Sequence, residues 1–79
     1  MSISVLLVDD HKIVREGTRQ LLALHDDIVV VGDASNGREA LKMVSELQPQ
    51  VVVMDVRLPQ LNGIEATRII TSQYQEIKV

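Results

Sequence analysis

The sequence predicts an α/β fold, an open parallel sheet with helices on both faces. Three observations carry that prediction. Continuous aliphatic runs recur every two dozen residues, at Ile3 to Val8, Ile28 to Val31 and Val51 to Met54. Each is followed by a stretch whose apolar residues step by three and four, the period of a helix face. Runs that stay apolar without alternating suit strands covered on both sides, and such strands connect in parallel through right-handed helical crossovers rather than as an antiparallel sandwich.

The elements follow in order. Ile3 to Val8 is a first strand that runs directly into Asp9-Asp10. Ile13 to Leu24 is a first helix, with Val14, Gly17, Leu21 and Leu24 on one stripe and Asp10 placed to cap its first turn. Gly17 inside that helix marks either a close backbone approach or a tolerated cost of about 1 kcal/mol against Ala. Ile28 to Val31 is the second strand. Arg38 to Leu47 is the second helix, with Ala40, Leu41, Val44 and Leu47 on its apolar stripe, Asn36 and Glu39 spaced as a capping pair, and Pro49 stopping it. After the third strand, Val51 to Met54, the segment Val56 to Leu61 holds Pro59 and reads as a loop. Asn62 then caps a third helix from about Gly63 to Ser72, whose apolar residues are Ile64, Ala66, Ile69 and Ile70.

The closing Glu76-Ile77-Lys78-Val79 has the pattern of a fourth strand at its start. On this reading residues 1–79 are a partial domain, strand and helix three times over plus that beginning. The flank of the third strand and some helix faces are then uncovered, and the chain is expected to form homo-oligomers through them.

Composition narrows the function. With 79 residues, 46% of them hydrophobic, this is one soluble domain at most. Eight Lys and Arg against eleven Asp and Glu leave a net charge of −3, so no basic field draws the segment onto nucleic acid or an anionic membrane. The lack of Cys removes disulfides and thiolate metal sites. Met1-Ser2-Ile3-Ser4 lacks the cationic start of a signal peptide and no apolar run exceeds strand length, which predicts a cytoplasmic protein. His11 and His25 have no second His or Cys at zinc spacing and read as solvent or packing residues; Arg15, Arg19 and Arg68 read as solvated helix positions, and Met43 and Met54 as core filler.

The chemistry is expected at the strand ends. In open α/β sheets the ligand crevice lies beyond the carboxyl ends of the strands. The first strand ends in Asp9-Asp10 and the third in Asp55, so if these strands are neighbours three carboxylates converge at one rim. Three close anions call for a cation, and an all-oxygen donor set favours a hard ion such as Mg²⁺, which leaves room for a phosphate oxygen. A carboxylate beside such an ion can attack a phosphoryl group and become an aspartyl phosphate. Taken singly, Asp9-Asp10 is a helix-capping pair and Asp55 a surface acid; their joint occurrence with Pro59 and the Asn62-Gly63 turn favours a site. A nucleotide binder of the flavodoxin type would carry a Gly- or hydroxyl-rich phosphate loop after the first strand, where Asp9-Asp10 would repel the phosphate.

These residues resemble a known family. Val5-Leu6-Leu7-Val8-Asp9-Asp10, Val53-Met54-Asp55-Val56-Arg57-Leu58-Pro59 and Asn62-Gly63 are similar to the receiver domains of two-component response regulators. His11, Val14-Arg15-Glu16-Gly17 and Val31-Gly32-Asp33-Ala34-Ser35-Asn36-Gly37 resemble the NarL/FixJ subfamily, whose full-length members carry a C-terminal helix-turn-helix of the LuxR type. The resemblance covers essentially the whole chain and implies a flavodoxin-like receiver fold with strand order 2-1-3, strands four and five being largely missing. It implies that Asp55 is the phosphoacceptor, Asp10 a direct Mg²⁺ ligand, Asp9 a ligand through water or a supporting acid, and Arg57 a ligand through its backbone carbonyl. It also implies a sensor histidine kinase as partner, DNA contact only through the C-terminal domain, and no membrane. Such domains use a Ser or Thr after the fourth strand and a Lys after the fifth to hold the phosphoryl group; neither has a counterpart here, so this chain is expected to phosphorylate weakly. A Mg²⁺-dependent phosphatase with an Asp nucleophile is the enzyme alternative, but there the second acid of Asp-x-Asp donates a proton, and Arg57 stands at that position.

Overall fold

In a computed structural model, which describes residues 2–55, 58 and 61–79, three parallel strands lie in the order β2-β1-β3. They are β1 (Ile3–Val8), β2 (Ile28–Ala34) and β3 (Val51–Met54), separated by the helices α1 (Lys12–Leu22) and α2 (Gly37–Leu47) and followed by α3 (Gly63–Gln73). The predicted order, direction and helical crossovers are all present.

β1 is the central strand and the most buried, as the aliphatic run from Val5 to Val8 requires: Val5, Leu6, Leu7 and Val8 are all buried. Its entry is locked to β3, because the Ser4 amide donates to Gln50 Oε1 at 2.9 Å and the Gln50 amide lies 3.0 Å from the Ser4 carbonyl oxygen. β2 runs three residues further than predicted. Its register against β1 steps from Val5–Val30 to Leu6–Gly32, so Val31 bulges out and Gly32-Asp33-Ala34 continue the ladder. A side chain at Gly32 would meet Leu47 Cδ1 at 2.8 Å and Met43 Cε at 2.9 Å, which is how α2 comes to lie directly on β2.

One face of the sheet carries the main core. Leu6, Val8, Ala34 and Val52 from the strands pack with Ala40 and Val44 of α2, Ile70 of α3, and Leu58 and Ile77; Met43 and Met54 pack against this cluster from its edge. α1 covers β1 and β2 on the opposite side, so helices stand on both faces as predicted. Its apolar stripe, however, is not buried. No α1 residue is buried, and of the predicted stripe Val14 is 49% and Leu21 66% exposed.

The helix ends follow local chemistry. Asn36 Oδ1 accepts from the Glu39 amide at 2.8 Å and Asn62 Oδ1 from the Glu65 amide at 2.9 Å, the expected N-caps of α2 and α3. α2 ends at Gln48, whose left-handed φ of 46° turns the chain into the buried Pro49. The first cap differs from expectation: His11, not Asp10, stands at the N-cap of α1 and offers no side-chain cap. The acid that organises this turn is Asp9, whose Oδ1 accepts the His11 amide at 2.8 Å.

The flank of β3 is also less open than expected. The Val52 amide donates to the Lys78 carbonyl at 2.7 Å and the Lys78 amide to that of Gln50 at 3.0 Å, a single parallel bridge that lays the last residues beside β3. Ile77 is carried into the core by it. No helix among the described residues is long and apolar enough to cross a membrane.

Candidate functional site

The parallel pairing of β1 with β3 brings the acids together. Val8 is level with Met54, so the two strands end side by side. The Asp55 amide donates to the Val8 carbonyl at 2.9 Å and the Asp9 amide to that of Ala34 at 3.1 Å, which anchors both residues by their backbones just beyond the ladder. Asp9, Asp10, His11 and Asp55 each offer a donor atom, and these atoms lie within 4.8 Å of one another. The three predicted carboxylates therefore do meet. Arg57 and Pro59 lie outside the described residues.

Electrostatics shape the cluster. His11 Nδ1 sits 3.0 Å from Asp9 Oδ1 and 2.9 Å from Asp10 Oδ1. The hydrogen bond to Asp9, then the charge of Asp10, with smaller contributions from the charges of Asp9 and Asp55, raises its pKa above the ordinary 6.5. His11 is exposed, and Asp9 and Asp55 are half-buried. Below the acids a groove of about 500 Å³ opens between α1 and β3, lined by Leu7, Val14, Thr18 and Val53. The donor set fits a hard divalent cation: carboxylate oxygens gathered within 4.8 Å of one another, the ligand type that such an ion takes alongside water.

Three residues were misjudged from sequence. His11 is solvent-exposed as expected but is also part of the acidic cluster. Arg15 is not a solvated helix position: it is half-buried, its Nη1 donates to the Asp9 carbonyl at 2.6 Å, and its Nε is buried with no hydrogen-bond partner among the described residues. Arg19 likewise reaches back to β2, with Nη2 2.5 Å from Asp33 Oδ2, whereas Arg68 pairs only with Glu65 of its own helix and stays exposed. The available signal was positional: Arg15 follows His11 by one helical turn, which turns its side chain back toward the end of β1.

A central parallel strand flanked by two others, with acids at the carboxyl rim of β1 and β3, defines a domain of the flavodoxin-like α/β class with an acidic rim. Residues 5–79 match the family model of the response regulator receiver domain, and the chain belongs to that family. Among its curated relatives are the response regulator GacA of Pseudomonas viridiflava, 49% identical over 77 residues, and the transcriptional regulatory protein LnrK of Bacillus subtilis (strain 168), 44% identical over 77 residues. Each alignment takes in 98% of this chain but only 36% and 35% of the relative, so the chain spans about a third of their length. Among solved structures, the response regulator domain of Thermotoga maritima CheB superposes with a TM-score of 0.93 at 37% identity, covering 99% of this chain and 58% of that one. A LuxR-family two-component response regulator from Aurantimonas sp. SI85-9A1 gives 0.91 at 42% identity, covering 98% and 55%.

Proposed function

We propose that this chain is a phosphoacceptor module in which Asp55 is the nucleophile and Asp9, Asp10 and Asp55, with the main-chain carbonyl of Arg57, hold Mg²⁺. The observation that carries this reading is the meeting of the three carboxylates at the rim where β1 and β3 end. With Mg²⁺ held by these residues, charge on the phosphoryl oxygens would be neutralised. The Asp55 carboxylate oxygen attacks phosphorus; its new O–P bond forms as the P–N bond of a phosphohistidine breaks, and the electron pair leaves with the imidazole. The backbone bond from Asp55 to Val8 keeps the nucleophile in place. Its partner is a sensor histidine kinase and its compartment the cytoplasm; its output is transcription, in keeping with the name of the transcriptional regulatory protein LnrK. It modifies itself and turns nothing else over.

Intact mass after incubation with acetyl phosphate tests the reading. A slow gain of one phosphoryl group is expected with Mg²⁺, and none without it or in Asp55→Asn. Transfer is expected to be slow because, among the described residues, the basic side chains beside the acids are engaged, Arg15 with the Asp9 carbonyl and His11 with Asp9 and Asp10. Equal gain in Asp55→Asn would place the chemistry elsewhere.

The exposed stripe on α1 favours one further reading, that the chain forms homo-oligomers through that helix. Light scattering across a concentration series should show a mass that rises with concentration; a constant monomer mass would end this reading.

A further inference from the structure

Resting on the metal-site reading above, we infer that Arg15 is a positioning residue for the acidic cluster: its guanidinium fixes the Asp9 main chain and so sets the direction in which the Asp9 and Asp10 carboxylates leave β1.

Arg15 contacts the cluster in an unusual way. Its Nη1 donates to the Asp9 carbonyl oxygen, not to a carboxylate. A cation placed among three carboxylates would ordinarily pair with one of them and take up oxygens that a metal ion needs. By bonding the neutral carbonyl, Arg15 brings positive charge to the rim without itself occupying a carboxylate oxygen. The bond also crosses the joint between strand and helix, from the first turn of α1 to the last turn of chain before Asp10. Asp9 is then held at three points: its amide on Ala34, its carbonyl on Arg15 and its carboxylate on the His11 amide. The Nε of this side chain is buried and has no hydrogen-bond partner among the described residues. Arg19, one turn on, has taken the ordinary alternative and pairs with the Asp33 carboxylate.

The sign of one measurement separates positioning from mere proximity. Removing a positive charge beside a cation site tightens cation binding if charge is all that Arg15 supplies. If Arg15 positions the acids, Arg15→Gln weakens Mg²⁺ binding despite the lost repulsion, by about tenfold, the scale for groups that orient metal ligands. Mg²⁺ affinity would be measured by isothermal titration calorimetry on wild type, Arg15→Gln and Asp10→Asn, with thermal unfolding recorded on each. Arg15→Lys, which keeps the charge and one donor, should recover part of the loss. A measurement on the wild-type chain guards against a variant that does not fold: the ¹⁵N guanidinium resonances of Arg15 should show slowed rotation and should shift along the Mg²⁺ titration. Unchanged or tighter binding in folded Arg15→Gln, or a freely rotating guanidinium, overturns the inference while Asp10→Asn still reports the metal site. Wild type that binds no Mg²⁺, or Asp10→Asn that binds it equally, overturns the metal-site reading and this inference with it.

Discussion

Gly37 at the start of α2 and Leu61 ahead of α3 are in direct backbone contact: a Cβ on Gly37 would lie 1.9 Å from the Leu61 carbonyl oxygen. No rotamer relieves that clash, because the opposing atom belongs to the main chain. Gly37→Ala must shift either α2 or the segment leading from β3 to α3, and overpacking of this kind costs about 1–3 kcal/mol. Urea unfolding of the variant should show a lower midpoint with an unchanged slope. A midpoint equal to wild type would mean the two backbones are not held together.

Gly17 is expected to behave in the opposite way. Nothing lies within 4 Å of where its Cβ would stand, so the close approach considered for it is absent and the residue is only a helix-interior glycine. Gly17→Ala should stabilise the chain by about 0.4–1 kcal/mol, by reducing the freedom of the unfolded state and raising helix propensity. Thermal unfolding checks it, and a loss of stability would mean that this surface of α1 is covered in solution.

The contrast between these glycines shows what could be read from sequence. Strands were legible because Val and Ile runs have few other uses, and α2 and α3 because Asn36 and Asn62 sit where an N-cap must. The bulge at Val31 was not, since it is defined by register against β1 and leaves no mark in composition. The acids were legible as a site because strand ends are where α/β sheets place ligands, and Asp9, Asp10 and Asp55 need only neighbouring strands to meet. Arg15 was hidden because a long side chain on an amphipathic helix looks the same whether it points to water or folds back. The stripe on α1 misled for a related reason: periodicity identifies an apolar face but not what covers it, and Val14, Leu21 and Leu24 are exposed.

The pairing of His11 with the acids makes a pH-dependent prediction. Its pKa is raised, first by the hydrogen bond to Asp9 and then by the charge of Asp10. A raised value in the folded state means that the charged pair adds stability below the ordinary His value, and that this is lost as pH rises through the higher, folded one. In metal-free buffer, an imidazole titration followed by NMR should give a His11 midpoint above 6.5, the ordinary value. Asp9→Asn should lower that midpoint by removing the largest cause. A His11 midpoint at or below the ordinary value in wild type would mean that the imidazole does not sit between the two carboxylates in solution.

The two faces of the sheet should differ sharply in what a truncated side chain costs. Ile70 of α3 is fully buried in the cluster with Leu6, Val8, Val44 and Val52, so Ile70→Ala removes both transfer energy and packing and should cost about 2–5 kcal/mol. Much of the stability of a chain this small would go with it. Leu21 of α1 is 66% exposed, and Leu21→Ala should change the stability of the monomer by no more than about 0.5 kcal/mol. Denaturant unfolding at low and high protein concentration distinguishes the cases. Ile70→Ala should be destabilised equally at both. Leu21→Ala should match wild type at low concentration and fall behind it at high concentration, because association through α1 stabilises the folded state by mass action and the variant loses it. If Leu21→Ala costs several kcal/mol even at low concentration, α1 is packed within the monomer and its stripe is not available to a second copy.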